Sequence, residues 1–500
     1  MLLKIYDGAE SIGGTKIYLK NGPHGLFLDF GINFEKGNLY FKEYLRRRAI
    51  RGIYDPITLG LLPKIKIYRE DLIPADLSIQ DFEEVQVEAV VVTHAHADHF
   101  GEIGNLRFDI PIVASPVTLL LIKAMEDCGH PYGGMDAIYS SQRIKKEDER
   151  ILLTSNKREG RFLRKFIPTE RIHDNILEFM GTIPGRNNET MASMDELENL
   201  PWEIKGYPVD HSIYGSTGYI IGEDMTIAYT GDFRLHGEQG YLTEEFAKRA
   251  KDASLLIIEG TRLSREEHDY TSEEDVRKKL REELDCAEGL VIVDFSPRNF
   301  ERLKLISEVA GDRIVLITEK DAYMLNALKK AGIDLWKKNI GVYRALKGKK
   351  EGWLKYLRED SGMEDRYVDP REVRDNLENY ILSFSLYDFP NLLDIKPSRG
   401  IYIYSSTEAL TEEQEFDFMT IHNWLSRFNF KIRGFSLERG KLKFSRGYHA
   451  SGHASPEDII KIVETIDPEI IVPVHTTNPK WFSKNFENVK ILKNGESLTY

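Results

Sequence analysis

Residues 94–99 read HAHADH, so three histidines and one aspartate occupy six consecutive positions. The preceding residues, EAVVVT, form an apolar run that predicts a buried β-strand, and the cluster therefore begins where a strand ends. α/β sheets commonly bind their ligands at the carboxyl ends of strands. Imidazole nitrogens and carboxylate oxygens are suitable zinc ligands, and the alanines leave room for an ion. The stretch predicts a metal site rather than a loop of surface histidines.

The spacing within this stretch divides its side chains into two sets. His94 and His96 are two residues apart and can reach one metal ion from the same side, whereas Asp98 and His99 lie beyond the bend and can reach a second ion. Two ions need further ligands. The candidates are histidines and aspartates that end or follow apolar strands elsewhere in the chain: Asp29, His211, Asp232, His449, His453 and His475. Taken alone, either aspartate is typical of a turn, but the histidine cluster makes both of them candidates for the site.

The composition restricts the class of protein. Five hundred residues are more than one hydrophobic core usually serves, so we expect two domains. The only cysteines, Cys128 and Cys286, are far apart, which excludes a cysteine-built zinc site and fits a reducing compartment. The chain has no apolar run of the roughly 20 residues that span a bilayer, and it does not begin with a secretory signal. We therefore expect a soluble, cytoplasmic protein without membrane partners.

The net charge of −13, from 68 basic and 81 acidic residues, argues against a general nucleic-acid coat, which would be basic overall. It does not exclude a nuclease. A local cleft can be positive in an acidic protein, and bound metal ions are themselves large charges.

Changes of pattern along the chain predict three segments. Residues 1–265 alternate β-rich runs with turns, and within them the charge-dense residues 133–200 have the character of an insertion or lid. Residues 266–440 alternate helices with apolar strands, which predicts a second α/β domain with a parallel sheet. Residues 441–500 return to strands and histidines, so we expect them to complete the first domain.

The order of the motifs resembles that of the metallo-β-lactamase superfamily. LDFG at 28–31, HAHADH, DHS at 210–212 and TGD at 230–232 carry this resemblance, which implies an αββα sandwich with a two-metal site at one sheet edge. IIEGTR at 257–262, ASGHAS at 450–455 and PVHT at 473–476 resemble motifs A, B and C of the β-CASP nucleases of the ribonuclease J type. That resemblance identifies residues 266–440 as an inserted β-CASP domain.

The resemblance implies a role for each matching residue, with two Zn²⁺ ions as cofactors and Mn²⁺ as the alternative metal. One ion would be held by His94, His96 and His211. The other would be held by Asp98, His99 and His475, with Asp232 bridging the two. Asp29 would orient a ligand histidine. Glu259 corresponds to the acid of motif A, and His453 to the histidine of motif B that this acid would orient.

Such a site is expected to hydrolyse phosphodiester bonds. Two zinc ions roughly 3.5–4 Å apart can share a hydroxide and lower its pKa toward neutrality. The same ions neutralise charge that develops on the phosphate. In-line attack would leave a 5′-phosphate and a free 3′-oxygen, and that oxygen needs a proton. His453, paired with Glu259, is the candidate general acid.

The expected substrate is single-stranded RNA, because in the family a histidine in motif C accompanies RNA processing. A candidate phosphate-binding pocket comprises residues that are equally typical of turns and caps: Ser296, Arg298, Asn299, Ser405, Ser406, His449 and Ser451. Basic runs could hold backbone phosphates or simply be solvated: Arg46–Arg48, Lys157, Arg158, Arg161, Arg164 and Lys165.

Two other functions remain as alternatives to the ribonuclease. One is a β-CASP nuclease that acts on DNA, and the other is a non-catalytic β-CASP scaffold that only binds RNA. Exonuclease and endonuclease modes are both open, and so is the oligomeric state, with a homodimer as one option.

Overall fold

The computed structural model describes the chain except residues 43–44, 130–135, 148, 157–160, 183, 185–193, 224, 265–270, 297, 349–350, 360–361, 407–411 and 439–440. Its strands are β1 (Leu2–Asp7), β2 (Lys16–Asn21), β3 (His24–Leu28), β4 (Ala89–Val91), β5 (Ile112–Ala114), β6 (Tyr139–Ser141), β7 (Arg143–Lys145), β8 (Leu153–Ser155), β9 (Arg161–Leu163), β10 (Phe166–Pro168), β11 (Ile204–Pro208), β12 (Thr217–Ile221), β13 (Ile227–Tyr229), β14 (Leu255–Glu259), β15 (Leu290–Asp294), β16 (Ile314–Ile317), β17 (Ile340–Tyr343), β18 (Tyr367–Val368), β19 (Tyr380–Leu382), β20 (Gly400–Tyr404), β21 (Phe430–Arg433), β22 (Phe435–Glu438), β23 (Lys441–Phe444), β24 (Ile470–Val474) and β25 (Ser497–Thr499).

The α-helices are α1 (Phe34–Asn38), α2 (Tyr54–Thr58), α3 (Ala97–Phe100), α4 (Pro116–Asp127), α5 (Asp174–Gly181), α6 (Gly240–Arg249), α7 (Glu273–Asp285), α8 (Phe300–Val309), α9 (Glu319–Lys330), α10 (Gly352–Glu359), α11 (Pro370–Asp375), α12 (Leu392–Ile395), α13 (Glu412–Arg427), α14 (Pro456–Ile466) and α15 (Lys480–Asn485). Several begin at side-chain caps: Ser115 caps α4, and Ser272 and Ser455 form capping boxes on α7 and α14. Among the described residues, no helix combines the length and hydrophobicity needed to cross a bilayer.

Two sheets pack face to face and form an αββα sandwich, as the sequence predicts. The first has the order β10-β5-β4-β3-β2-β1-β25, and the second has the order β11-β12-β13-β14-β24. Apolar side chains from both sheets fill the layer between them, for example Leu28 and Val91 from the first and Tyr229 and Val474 from the second. Helix α4 packs against the outer face of the first sheet, and α6 and α14 pack against that of the second.

A third sheet, β18-β17-β16-β19-β15-β20-β21, lies in the chain between β14 and β24, and all of its pairings are parallel. Its apolar strands are buried on both faces, with α7, α8 and α9 on one side and α12 and α13 on the other. This sheet and its helices lie within residues 266–440, the range in which the sequence predicts a parallel α/β domain. The predicted boundary at 440 lies between β22 and β23, which pair as a hairpin.

The predicted insertion at 133–200 contributes to the sandwich. Strand β10 pairs in parallel with β5 and forms an edge of the first sheet. Arg164, two residues before β10, is buried and donates to backbone carbonyls of residues 103, 106, 107, 110 and 137. A side chain that is engaged in this way cannot reach a polymer, so the prediction of a phosphate contact at Arg164 is wrong. Because the segment is rich in charged residues, its sequence does not distinguish this buried structural arginine from an exposed one.

A buried ionic network connects the loop after β13 to the helices of the third sheet. Arg234 is fully buried, and its guanidinium contacts Asp210 at 3.3 Å, Glu273 at 3.0 Å and also Glu301. Arg302 on α8 lies 2.9 Å from Glu273. Because buried charges are costly unless they are paired, this network fixes how α7 and α8 sit against the sandwich.

Replacing Arg234 by methionine removes the cation that lies among three buried carboxylates. We expect the free energy of unfolding to fall by about 3–5 kcal/mol, the range for breaking a buried ion pair. The matched control is Arg249→Met on α6, whose side chain and that of its partner Glu245 are 61% and 50% exposed. The control should lose less than about 1 kcal/mol. Denaturant unfolding measures both variants, and equal losses would contradict the role of the network.

Candidate metal centre

The HAHADH stretch lies where β4 ends, as predicted, and its backbone is held by neighbouring loops. Helix α3 starts immediately after His96, so Asp98 and His99 turn away from the first two histidines. The backbone NH of Phe30 donates to the carbonyl of His99 at 2.7 Å. At Gly31 a Cβ atom would lie 1.6 Å from the carbonyl oxygen of Asp98, so only glycine fits there. This close approach explains the glycine of LDFG.

The first predicted ligand set converges. The Nδ1 atom of His96 lies 2.9 Å from Nε2 of His94 and 3.2 Å from Nε2 of His211. His211 comes from the loop after β11, on the other sheet. Three ring nitrogens that face one another in this way are arranged as ligands of one cation.

The second predicted set converges beside the first. Oδ2 of Asp98 lies 3.3 Å from Nε2 of His475 and 3.7 Å from Nε2 of His99. Asp232 lies between the two sets, because its Oδ2 is 3.2 Å from Nε2 of His99 and 3.7 Å from Nε2 of His94. The structure therefore brings together all seven predicted ligands, and Asp232 has the central position that a bridging ligand requires.

The residues present fit a metal centre. Among the described residues, Nε2 of His99 and Oδ1 of Asp232 are buried polar atoms without a hydrogen-bond partner. Such atoms are costly in a protein interior unless something compensates them. Both are common zinc ligands, so a divalent cation would satisfy them.

Electrostatics favour the same conclusion. Burial lowers the pKa of His94 well below its ordinary range and lowers that of His211 to about 3, and nearby histidines add to both effects. Both imidazoles are therefore neutral, which is the form that binds a metal. Burial also acts to lower the pKa of His99, but Asp232 and two other carboxylates outweigh it and raise that pKa. A positive charge is thus stabilised beside these carboxylates.

Each of four ligand histidines has a partner at its second ring nitrogen. For His99 the partner is the predicted residue Asp29, at 2.7 Å. For His211 it is the carbonyl of Gly452, at 2.5 Å. For the other two histidines the partner is a threonine hydroxyl: that of Thr93 lies 3.0 Å from Nδ1 of His94, and that of Thr261 lies 2.9 Å from Nδ1 of His475. Neither threonine is predicted from the sequence, although each adjoins or lies in a motif: Thr93 precedes HAHADH, and Thr261 belongs to IIEGTR.

The predicted pair of Glu259 and His453 is present. Glu259 ends β14, where it pairs in register with Val474 of β24, and Nδ1 of His453 lies 3.1 Å from both of its oxygens. The backbone NH of Phe233 also donates to Glu259 at 2.9 Å. His453 lies 3.8 Å from Asp232, and 21% of its side chain is exposed. The pair therefore borders the ligand cluster and remains accessible.

The structure brings four of the predicted pocket residues together after β15 and β20. The hydroxyls of Ser296 and Ser406 are 2.8 Å apart, and the ring of His449 lies 2.9 Å from the carbonyl of Ser406. Ser405 donates to the carbonyl of Tyr448 at 2.7 Å. Polar side chains thus cluster at the carboxyl ends of parallel strands, where such sheets bind ligands.

The other three predicted pocket residues have different contacts. The side-chain oxygen of Asn299 caps α8 by accepting from the NH of Arg302. Ser451 accepts from the NH of His453 at 3.2 Å. Arg298 has a left-handed backbone, with φ of 70°, and its guanidinium contacts the sulfur of Met125 at 3.0 Å. Backbone strain of this kind at a non-glycine residue is concentrated at functional sites.

A cleft with a volume of about 1100 Å³ lies between the loops of the sandwich and the carboxyl ends of β15, β16 and β19. Aromatic side chains, five basic side chains and two acidic ones line it: Phe34, Phe41, Phe295, Phe384, Tyr387, Lys42, Arg46, Arg47, Arg298, Lys320, Asp321 and Asp388. Positive charge is thus concentrated here in an acidic protein, although Arg47 also contacts Glu102 at 2.6 Å. Of the other predicted basic contacts, Arg48 pairs with Asp55 and Lys165 with Asp195. Lys157, Arg158 and the side chain of Arg161 lie outside the described residues.

Two family models match parts of the chain. The metallo-beta-lactamase superfamily matches residues 62–285, and the Zn-dependent metallo-hydrolase RNA specificity domain matches residues 441–480. The first range contains six of the seven predicted ligands. The second contains His475 and also His453.

Curated relatives and a solved structure resemble the chain along most of its length. The ribonuclease J of Methanocaldococcus jannaschii is 22% identical over 520 residues, covering 99% of this chain and 97% of that protein. The ribonuclease J of Sinorhizobium meliloti is 21% identical over 86% of this chain, which spans 66% of that protein's length. The crystal structure of a protein of unknown function from Enterococcus faecalis V583 has a TM-score of 0.69, with 22% identity and 99% of both chains covered. This last likeness shows the fold.

Proposed function

The chain belongs to the metallo-β-lactamase superfamily and to its β-CASP, ribonuclease J-like branch, and on that premise we propose that it is a metal-dependent ribonuclease acting on single-stranded RNA. The observation that carries the proposal is the convergence of two ligand sets on Asp232, with the His453–Glu259 pair 3.8 Å away. A metal centre beside a proton donor is what phosphodiester hydrolysis requires. The match to an RNA specificity domain at residues 441–480 supports RNA as the substrate.

The proposed cofactors are two Zn²⁺ ions, with Mn²⁺ as the alternative. His94, His96 and His211 would hold one ion, Asp98, His99 and His475 would hold the other, and Asp232 would contact both. When bound, the ions supply Lewis acidity, which lowers the pKa of water and neutralises charge on the phosphate. Asp29 and the other partners of the ligand histidines fix the ring orientations that this binding needs.

His453 is the proposed general acid. Its Nδ1 lies 3.1 Å from the Glu259 oxygens, and a carboxylate can only accept, so Nδ1 carries a proton toward Glu259. The transferable proton is then held at Nε2. This atom would protonate the 3′-oxygen as the bond between that oxygen and phosphorus breaks. The phosphate would then remain on the 5′ end of the other product.

The cleft and the serine cluster supply the proposed binding surface. The accessible rings of the cleft, Phe34, Phe41, Phe295 and Tyr387, can stack on unpaired bases, and its lysines and arginines can contact backbone phosphates. Ser296 and Ser406, with Arg298 at the edge of the cleft, would contact a phosphate group. The predicted contacts Ser405 and His449 are buried instead, and both ring nitrogens of His449 face backbone carbonyls, so these two residues would hold the loops in place. Single strands fit this arrangement because their bases are free to stack.

We expect the zinc- or manganese-loaded protein to cleave 5′-labelled single-stranded RNA faster than the matched DNA strand. The variant Asp98→Ala/His99→Ala, which lacks two ligands of one ion, should lose the cleavage of RNA. Gel analysis distinguishes the modes, since mononucleotides from the start indicate a 5′ exonuclease and intermediate fragments indicate an endonuclease.

Faster cleavage of DNA would replace the RNA assignment by a DNA-directed nuclease. If the fully metallated protein binds RNA but cuts neither strand, the non-catalytic scaffold is the better account. Circular dichroism of the double variant verifies that the loss of activity is not a loss of fold.

Replacing His453 by alanine should lower kcat for RNA by about 10²–10⁴-fold, the usual contribution of a general acid. A substrate with sulfur in place of the bridging 3′-oxygen has a leaving group that needs no proton, so the variant should cleave it almost as fast as the wild type. The control, His422→Ala, removes an exposed histidine of α13 and should behave as wild type on both substrates. An equal defect of His453→Ala on both substrates would refute the general-acid role.

A further inference from the structure

Thr261 lies at the junction between the ligand cluster and the acid–base pair. It follows the end of β14 by two residues and is 6% exposed. Its hydroxyl oxygen is 2.5 Å from Oε2 of Glu259 and 2.9 Å from Nδ1 of His475. Although Thr261 opens a short 3₁₀ turn, its side chain is engaged by these two groups rather than by a backbone NH of the turn.

We propose that Thr261 is a positioning residue whose single hydroxyl sets the ligand form of His475 and joins it to the proton donor through Glu259. This inference rests on the proposed function: its metal-binding part rests on the proposed ligand set, and its catalytic part rests on the proposed general acid. The motifs give roles to Glu259, His453 and His475, but they give none to Thr261.

Counting protons fixes the direction of each hydrogen bond. Glu259 also receives the backbone NH groups of Phe233 and Thr261, at 2.9 and 3.2 Å, and Nδ1 of His453. A carboxylate surrounded by donors in this way acts only as an acceptor. At 2.5 Å it lies much closer to the Thr261 hydroxyl than the other possible acceptor, the backbone carbonyl of His475 at 3.4 Å, so the hydroxyl gives its one proton to Glu259. The hydroxyl oxygen must then accept from Nδ1 of His475. Nε2 of His475 consequently keeps its lone pair, 3.3 Å from Oδ2 of Asp98.

The backbone of His475 makes this side-chain contact more important. His475 has φ of 50°, and its NH donates to the carbonyl of Gly8 at 2.7 Å. These constraints fix the Cα position of His475 but leave the rotation of the ring to its side-chain partners. Of those, Thr261 is the one that meets Nδ1 at hydrogen-bonding distance among the described residues.

A second threonine shows which part of the arrangement is particular to Thr261. Thr93 lies 3.0 Å from Nδ1 of His94 and 2.9 Å from Oδ2 of Asp29, so it too bridges a ligand histidine to a carboxylate. Asp29, however, also contacts a metal-ligand candidate, His99, whereas Glu259 contacts the proton donor His453. Of these two threonine bridges, the one at Thr261 is therefore the one that reaches the general acid.

The test compares Thr261→Val, which keeps the shape and removes the hydroxyl, with Thr261→Ser, which keeps the hydroxyl. Zinc per chain is measured after equilibration with a chelator of graded strength, and kcat and KM are measured on single-stranded RNA. We expect Thr261→Val to lower the affinity for one zinc ion by about 10–100-fold, the effect of removing other partners of ligand histidines. The affinity for the other ion should be unchanged. Its kcat should fall while KM changes little. Thr261→Ser should match the wild type in zinc binding and in kcat.

Two results with the Thr261→Val variant would overturn the inference. One is a Thr261→Val variant with wild-type zinc affinity and kcat. The other is the loss of both ions with a lowered melting temperature, which would make Thr261 a structural residue. A wild-type chain that binds fewer than two zinc ions overturns it as well. If the wild type binds two ions but cuts no RNA, the proposed function fails, and the zinc titration still decides whether Thr261 orients His475.

Discussion

The carboxylate of Asp232 is the interaction on which the rest of the site depends. It is 2% exposed and lies within 4 Å of ring nitrogens from His94, His99, His211, His453 and His475. A buried charge of this kind is tolerable only when groups of opposite charge or metal ions compensate it. Five loops from both sheets of the sandwich converge on that one carboxylate, and they follow β4, β11, β13, β14 and β24.

Strand pairing explains how segments so distant in sequence meet there. Strands β14 and β24 are neighbours, and Glu259 pairs with Val474 although the whole third sheet lies between them in the chain. The α/β unit is thus inserted between two adjacent strands without disturbing their register. His475 and Thr261, 214 residues apart, then face each other across the ends of the two strands. The same insertion carries the carboxyl ends of its own strands to the edge of the cleft.

Local patterns were sufficient to predict much of this molecule. HAHADH after an apolar strand predicts a metal site by itself, because the residue types and the strand end lie within ten residues. The alternation of helices with apolar strands in residues 266–440 likewise predicts a parallel α/β unit, because each element is read from its own stretch of sequence. His211, Asp232 and His475 required the order of the motifs, since each is isolated in sequence. Their metal-binding roles remain predictions that the geometry supports.

The features that sequence reasoning missed depend on distant contacts. Thr93 and Thr261 are common residues, and their roles come from hydroxyl directions that partners elsewhere in the chain impose. Strand β10 has three residues, too few for a periodic pattern, and it is preceded by charged sequence. Arg164 belongs to a basic run, yet its guanidinium donates to five backbone carbonyl groups, and no local sequence rule predicts these contacts.

The most direct test of the account is to locate the metal ions themselves. Crystals of the zinc-loaded protein, with diffraction data collected on both sides of the zinc absorption edge, would give an anomalous difference map. We predict two peaks flanking Asp232, one within coordination distance of His94, His96 and His211 and the other within that distance of Asp98, His99 and His475. A single peak, or peaks that avoid Asp232, would contradict it.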